Sequence, residues 1–132
     1  MIGADLVKYV TGLRYRMNQV EEVEEIWELG VGTEFFKVAF VPRTDPTIED
    51  ASGVLAWRIK ELGLEDEVVA MVYPDSRGTG YGMRRYNDNP CLDFCRLQEE
   101  PEVHFTHNRG FIAKTSCIDP GRLKQMLLLA KV

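Results

Sequence analysis

Two short strips of this chain concentrate residue types that can bind an anion. Tyr73 to Tyr86 reads YPDSRGTGYGMRRY, which sets Gly78, Gly80 and Gly82 beside Ser76, Thr79, Arg77, Arg84 and Arg85. Alternating glycines let backbone N–H groups approach a ligand closely and form an anion nest. Guanidinium forks match phosphate oxygens two at a time. The rings of Tyr81 and Tyr86 are faces on which a base can stack. The strip is not a Walker loop, because the lysine and the spacing are missing. The same residues also suit a plain β-hairpin whose turn needs glycine and whose arginines are solvated. Arg84 and Arg85 are adjacent, so on a strand they point to opposite faces. At most one of them faces a given ligand, and alternation alone does not choose it.

The second strip is His107 to Phe111. His107, Asn108, Arg109 and the Gly110 backbone form a compact polar turn before an apolar strand, which suits a phosphate or sugar contact. A hydrogen-bonded turn histidine accounts for the same pattern. His104, inside a strand after Pro101, reads as structural. Cys91, Cys95, His104 and His107 together suggest zinc ligands, but their spacings differ from those of a zinc finger, and small buried cysteines explain them better. Cys91 has no basic partner that would make it a nucleophile. Asp75, Asp88 and Asp93 are scattered through turn-like sequence, so no carboxylate pair stands out as an acid–base set.

The elements that must position these strips follow from periodicity. Leu6, Val10, Leu13, Met17, Val20 and Trp27 recur at helical spacing, which predicts one long N-terminal helix from Ala4 to Leu29, ended by Gly30 and Gly32. Its stripe resembles a heptad seam, so it either covers a sheet or binds a partner. Phe35 to Val41 is a strand, and Arg43 to Pro46 a loop. Thr47 and Asp50 form a variant capping box for a helix carrying Ile48, Ala51, Leu55, Ile59 and Leu62. Glu67 to Tyr73 is a buried strand, and Gly80 to Tyr86 a strand paired back on it. Cys91 to Gln98 is a short helix. Val103 to Thr106 and Phe111 to Lys114 are strands, and Asp119 with Pro120 opens a last helix. The order predicts an α/β fold: a mixed sheet of about five strands flanked by helices. Residues 1–32 form a linker-like N-terminal helix, and 33–132 an α/β ligand-binding domain.

Length and composition bound the function. The chain has 132 residues, 45% of them hydrophobic, which supports one core without disulfides or metal staples. A net charge of -5 argues against whole-surface attraction to nucleic acid but permits a local basic patch. Glu21, Glu22, Glu24, Glu25 and Glu28 produce much of that charge, far from both strips. No apolar run reaches the ~20 residues of a membrane span, and no signal peptide is evident, so a cytoplasmic location is expected. Three cysteines fit a reducing compartment.

The ordered set of motifs resembles a known family. Val38 to Val41, a loop, an amphipathic helix, Val68 to Tyr73, and then Tyr81 to Arg85 are similar to the C-terminal, DHH-associated domain of DHH-family phosphoesterases. Leu92 to Leu97 resembles that domain's short helix, and Val103 to Ile112 its histidine motif. The segment His107 to Ile112, reading HNRGFI, is similar to the MYG-type exonuclease branch in particular. The resemblance spans roughly Phe35 to Ala130. Two departures stand out. His104, Phe105 and Thr106 replace the usual run of three glycines, and the catalytic Asp-His-His domain is absent from this sequence.

The resemblance implies a domain that binds the phosphates or nucleotide end of a short oligonucleotide, nucleotide or other phosphoester. Its partner would be a separate N-terminal DHH domain that holds manganese and cleaves. Arg84 or Arg85, and His107, inherit substrate-binding roles, and no cofactor or catalytic residue is expected in this chain itself. The expectation is therefore an excised domain or a relic acting as a binding module. The alternative is a protein-interaction domain, for example a homodimer, that associates through the N-terminal helix.

Overall fold

The computed structural model describes residues 14–44 and 48–132. Six strands form one mixed sheet in the order β1-β2-β3-β4-β6-β5. They are β1 (Glu25–Val31), β2 (Glu34–Phe40), β3 (Val68–Pro74), β4 (Tyr81–Arg85), β5 (Val103–Thr106) and β6 (Ile112–Thr115). β2 and β3 are parallel, joined through helix α2 (Ala51–Glu61), as a parallel pair requires. All other neighbours are antiparallel.

The sheet separates two cores. On one face, helix α1 (residues 14–23) and α2 bury Met17, Val20, Val54, Leu55 and Ile59 against Val68 and Met71. On the other, α3 (Pro120–Ala130) and the 3-10 turn Phe94–Leu97 bury Leu123, Met126, Leu127, Phe94 and Leu97 against Phe40, Val72 and Met83. Asp119 caps α3 by accepting from the Gly121 N–H at 3.2 Å, with Pro120 at the first helical position.

The N-terminal expectation needs correction. Helix α1 ends at residue 23, and Glu25–Val31 is an edge strand paired with β2 through a turn at Gly32 (φ 64°). Trp27 and Leu29 are buried at a strand's period of two, not a helix's. Residues 4–13 of the expected helix lie outside the described residues. The sheet has six strands rather than about five because β1 joins it. Within Cys91 to Gln98, only Phe94–Leu97 is helical, as a 3-10 turn. Thr47 lies outside the described residues. Asp50 is the N-cap of α2 in a left-handed conformation (φ 49°), and its side chain makes no cap hydrogen bond.

Ion pairs pin the helices. The Arg58 Nε donates to Glu24 at 2.9 and 3.1 Å. Burial opposes the Arg58 charge, but Glu24, helped by Glu21 and Glu61, outweighs it and raises its pKa. Arg122 on α3 grips Glu102 at 2.6 Å and Glu100 at 2.7 Å. The hydrogen bond from Arg122 holds the Glu102 carboxyl below its ordinary 4.5. A carboxyl depressed in the folded state contributes stability above its unfolded pKa and loses it as pH falls through the folded value. Glu102→Gln is therefore expected to be less stable at pH 7 and to show a shallower fall in urea midpoint below about pH 4.5. Superimposable acid limbs for variant and wild type would contradict this.

Candidate functional site

Helix α2 packs on β3, and among the described residues the β4–β6 part of its sheet face is left uncovered. Tyr81 and Met83 of β4 point into the α3 core, so Gly82 and Arg84 point to the open face. In β6, Ala113 is in the same α3 core, which turns Ile112 and Lys114 outward. Antiparallel register sets Arg84 beside Ile112 and Gly82 beside Lys114. The open face thus carries two cations flanking small and apolar positions.

A cleft of about 780 Å³ lies between the first turn of α2 and the ends of β4 and the β5–β6 turn. Arg84, Arg109 and Phe111 line one side, and Asp50, Ser52 and Gly53 the other. The Arg84 guanidinium stands 5.8 Å from the centre of the Phe111 ring, a cation–π distance. Neither Arg84 nor Arg109 has a carboxylate within ion-pair distance among the described residues. The α2 N-terminus adds partial positive charge, although the Asp50 carboxylate lies over the first turn beside Gly53 and offsets part of it.

Arg85 is differently employed. It points toward the α3 side, with its side chain 14% exposed. It donates to the carbonyls of Leu92 at 3.2 Å and Arg109 at 3.4 Å and pairs with Asp88 at 2.6 Å. Its Nε is buried without a partner. Asn87 and Asp88, at the cleft's rim, both have φ above 50°. Asn and Asp tolerate this left-handed region better than most residues.

The ten residues singled out from sequence fall into separate groups. Arg84 and Arg109 meet at the cleft, which Arg85 only borders while its side chain is held by Leu92, Asp88 and Arg109. Ser76 and Arg77 are exposed on the β3–β4 turn, at the other end of β4. That turn is held by Arg43, whose Nη2 donates to the carbonyls of Asp75, Gly78 and Gly80 at 3.0, 2.9 and 2.7 Å. Gly80 is buried where a Cβ would collide with the Thr115 carbonyl oxygen and sit 2.8 Å from Ser116 Cα. Gly82 lies under the Tyr73 ring, 2.9 Å from where its Cβ would be. Both glycines therefore have packing reasons, independent of a ligand. Burial raises the Tyr73 pKa, with Arg84 opposing and Asp75 adding.

The histidine turn is internally satisfied. His107 Nδ1 accepts from the Arg109 N–H at 3.1 Å, and the His107 carbonyl accepts from Gly110 N–H at 2.8 Å. The ring packs on Phe111 with centres 4.2 Å apart. A neutral His107 therefore carries its proton on Nε2. Gly110 is required by its φ of 74° and by the Asp93 carboxylate, which occupies the space a Cβ would take. Asn108 is exposed, and its carbonyl accepts from the Cys95 thiol at 3.5 Å. The turn shapes Arg109's position more than it presents His107.

Sequence reasoning missed Lys114, Phe111, Arg43 and the first turn of α2. Alternation along β6 marks Lys114 as opposite in face to Ala113. Nothing local indicates that α2 begins beside Arg84, because that depends on strand order. Among the described residues no group of three His, Cys, Asp or Glu side chains is placed to share a metal ion. No described helix is long and apolar enough to cross a membrane. Comparison with family models, curated proteins and solved structures finds no match to this chain.

Proposed function

We propose that this chain is a phosphate-binding module for a phosphoester substrate, a short nucleic acid or nucleotide. The observation that carries the reading is that Arg84 and Arg109, from different elements, converge on one cleft with no carboxylate partner among the described residues. Two unpaired guanidinium groups over a half-apolar wall suit an anion with a flat or apolar attachment. The role is positioning and charge neutralisation; bond cleavage belongs to a manganese-holding catalytic domain of the DHH type. Cytoplasmic localisation is part of this proposal. Self-association through the N-terminal helix is the weaker reading, because Met17 and Val20 are already buried within the chain's own core.

Titration with a 5′-phosphorylated thymidine dinucleotide tests the module. Arg84→Gln and Arg109→Gln are each expected to weaken binding about tenfold, the worth of one charge-assisted hydrogen bond. Each should also reduce the slope of log affinity against log salt by about 0.7 for every phosphate no longer neutralised, the single-strand value. Arg84 and Arg109 variants that bind as tightly as wild type would remove the site assignment.

A further inference from the structure

The cleft at Arg84 and Arg109 does not end at β4. A hollow of about 260 Å³ continues from it along the open sheet face and shares Asp50 and Ser52 with it. Beyond lies a pocket of about 320 Å³ that shares Asp75 and Lys114 with the hollow. Arg77, His104 and Lys114 converge on this far pocket from the β3–β4 turn, β5 and β6. Neither Arg77 nor His104 has a carboxylate within ion-pair distance among the described residues. Lys114 lies 4.0 Å from Asp75, whose Oδ1 is already engaged by the Arg77 N–H. The hydroxyls of Thr79 and Ser116 border the same pocket.

We infer that the groove holds an extended phosphodiester chain, with a second phosphate subsite at Arg77, His104 and Lys114. This rests on the phosphate site proposed at Arg84 and Arg109 and specifies its ligand. The ~3.4 Å rise per residue of β4 sets the two cationic clusters about 8 to 14 Å apart. That is too far for one phosphate and within reach of phosphates one to two nucleotides apart on an extended strand. Lys114 is the member of the second subsite nearest the first, since it pairs with Gly82, two residues from Arg84. The Tyr73 ring lies over Gly82 there and lines the hollow with it.

The test compares thymidine 5′-phosphate with its 5′-phosphorylated di- and trinucleotides at one low salt concentration. Wild-type affinity is expected to rise at least tenfold from one phosphate to three. Lys114→Gln should hold that rise, read as the ratio of trinucleotide to mononucleotide affinity, to threefold or less. Lys114→Arg should restore it, because charge and reach are kept. A full rise in Lys114→Gln overturns the second subsite, as does an equal loss for the mononucleotide. Tetraglutamate binding as tightly as the trinucleotide overturns the phosphodiester assignment. Mononucleotide binding that ignores Arg84→Gln instead removes the first site, and no binding by any member removes both.

Discussion

Gly80→Ala is expected to destabilise the fold by about 3 kcal/mol or more, at the upper end of overpacking penalties. The added methyl would occupy the position of the Thr115 carbonyl oxygen and approach Ser116 Cα to 2.8 Å. Both obstacles are backbone, anchored where Tyr81 pairs with Thr115 between β4 and β6, so neither can swing away as a side chain would. The gain from a less flexible unfolded chain, about 0.4–1 kcal/mol for Gly→Ala, is too small to offset this. Gly78→Ala is the control. A Cβ there meets only an Asp75 carboxylate oxygen at 3.9 Å, so its urea midpoint should stay within about 0.5 kcal/mol of wild type. Equal midpoints for Gly80→Ala and wild type would show that the two strands can separate freely at this point. The contrast also assigns the glycines. A nest for an anion would make Gly78 the sensitive position for binding, whereas Gly80 is constrained by packing alone.

The adjacent arginines should separate just as sharply. Arg85→Met is expected to cost about 2 kcal/mol of stability, since hydrogen bonds to charged groups contribute about 1.5–3 kcal/mol and the bonds lost here are half-buried or exposed. The carbonyls of Leu92 and Arg109 lose their donor, and the turn that carries Arg109 loses its tie to β4. Removing the buried, partnerless Nε returns part of that cost, which keeps the expected loss below the simple sum. Arg84→Met should leave stability within about 0.5 kcal/mol, because Arg84 is exposed and makes only the long contact to Phe111. Thermal or urea unfolding of both variants decides the matter. A stable Arg85→Met beside an unfolded Arg84→Met would reverse the assignment.

Several elements were legible before any tertiary information. The short apolar run of Glu67 to Tyr73, the Asp119–Pro120 opening of α3 and the hairpin of β3 with β4 follow from local pattern and appear as expected. Residues 25–31 did not. Glutamates at Glu21, Glu22, Glu24, Glu25 and Glu28 favour helix, and Trp27 continues the helical stripe from Val20. Pairing with β2 overrides that propensity, and Phe35 covers Gly30 across the pair, where a Cβ would lie 2.5 Å from its ring. Edge strands are decided by what they pair with, which no single segment encodes.

By itself the sequence determined an α/β class, two arginine-bearing strips and the glycines those strips require. Opposite faces for Arg84 and Arg85 also followed from the period of a strand alone. Only the tertiary structure decided which arginine is free. The stretch just before the Phe94–Leu97 turn and the β5–β6 turn bring carbonyls to Arg85, while Arg84 faces the half of the sheet that α2 does not cover. It likewise decided that Lys114, Arg77 and His104 share a pocket, and that Asp50 and Ser52 stand opposite Arg84. The physical reason is strand order: β6 inserts between β4 and β5, so contacts across the open face join residues tens of positions apart, beyond the reach of any local period.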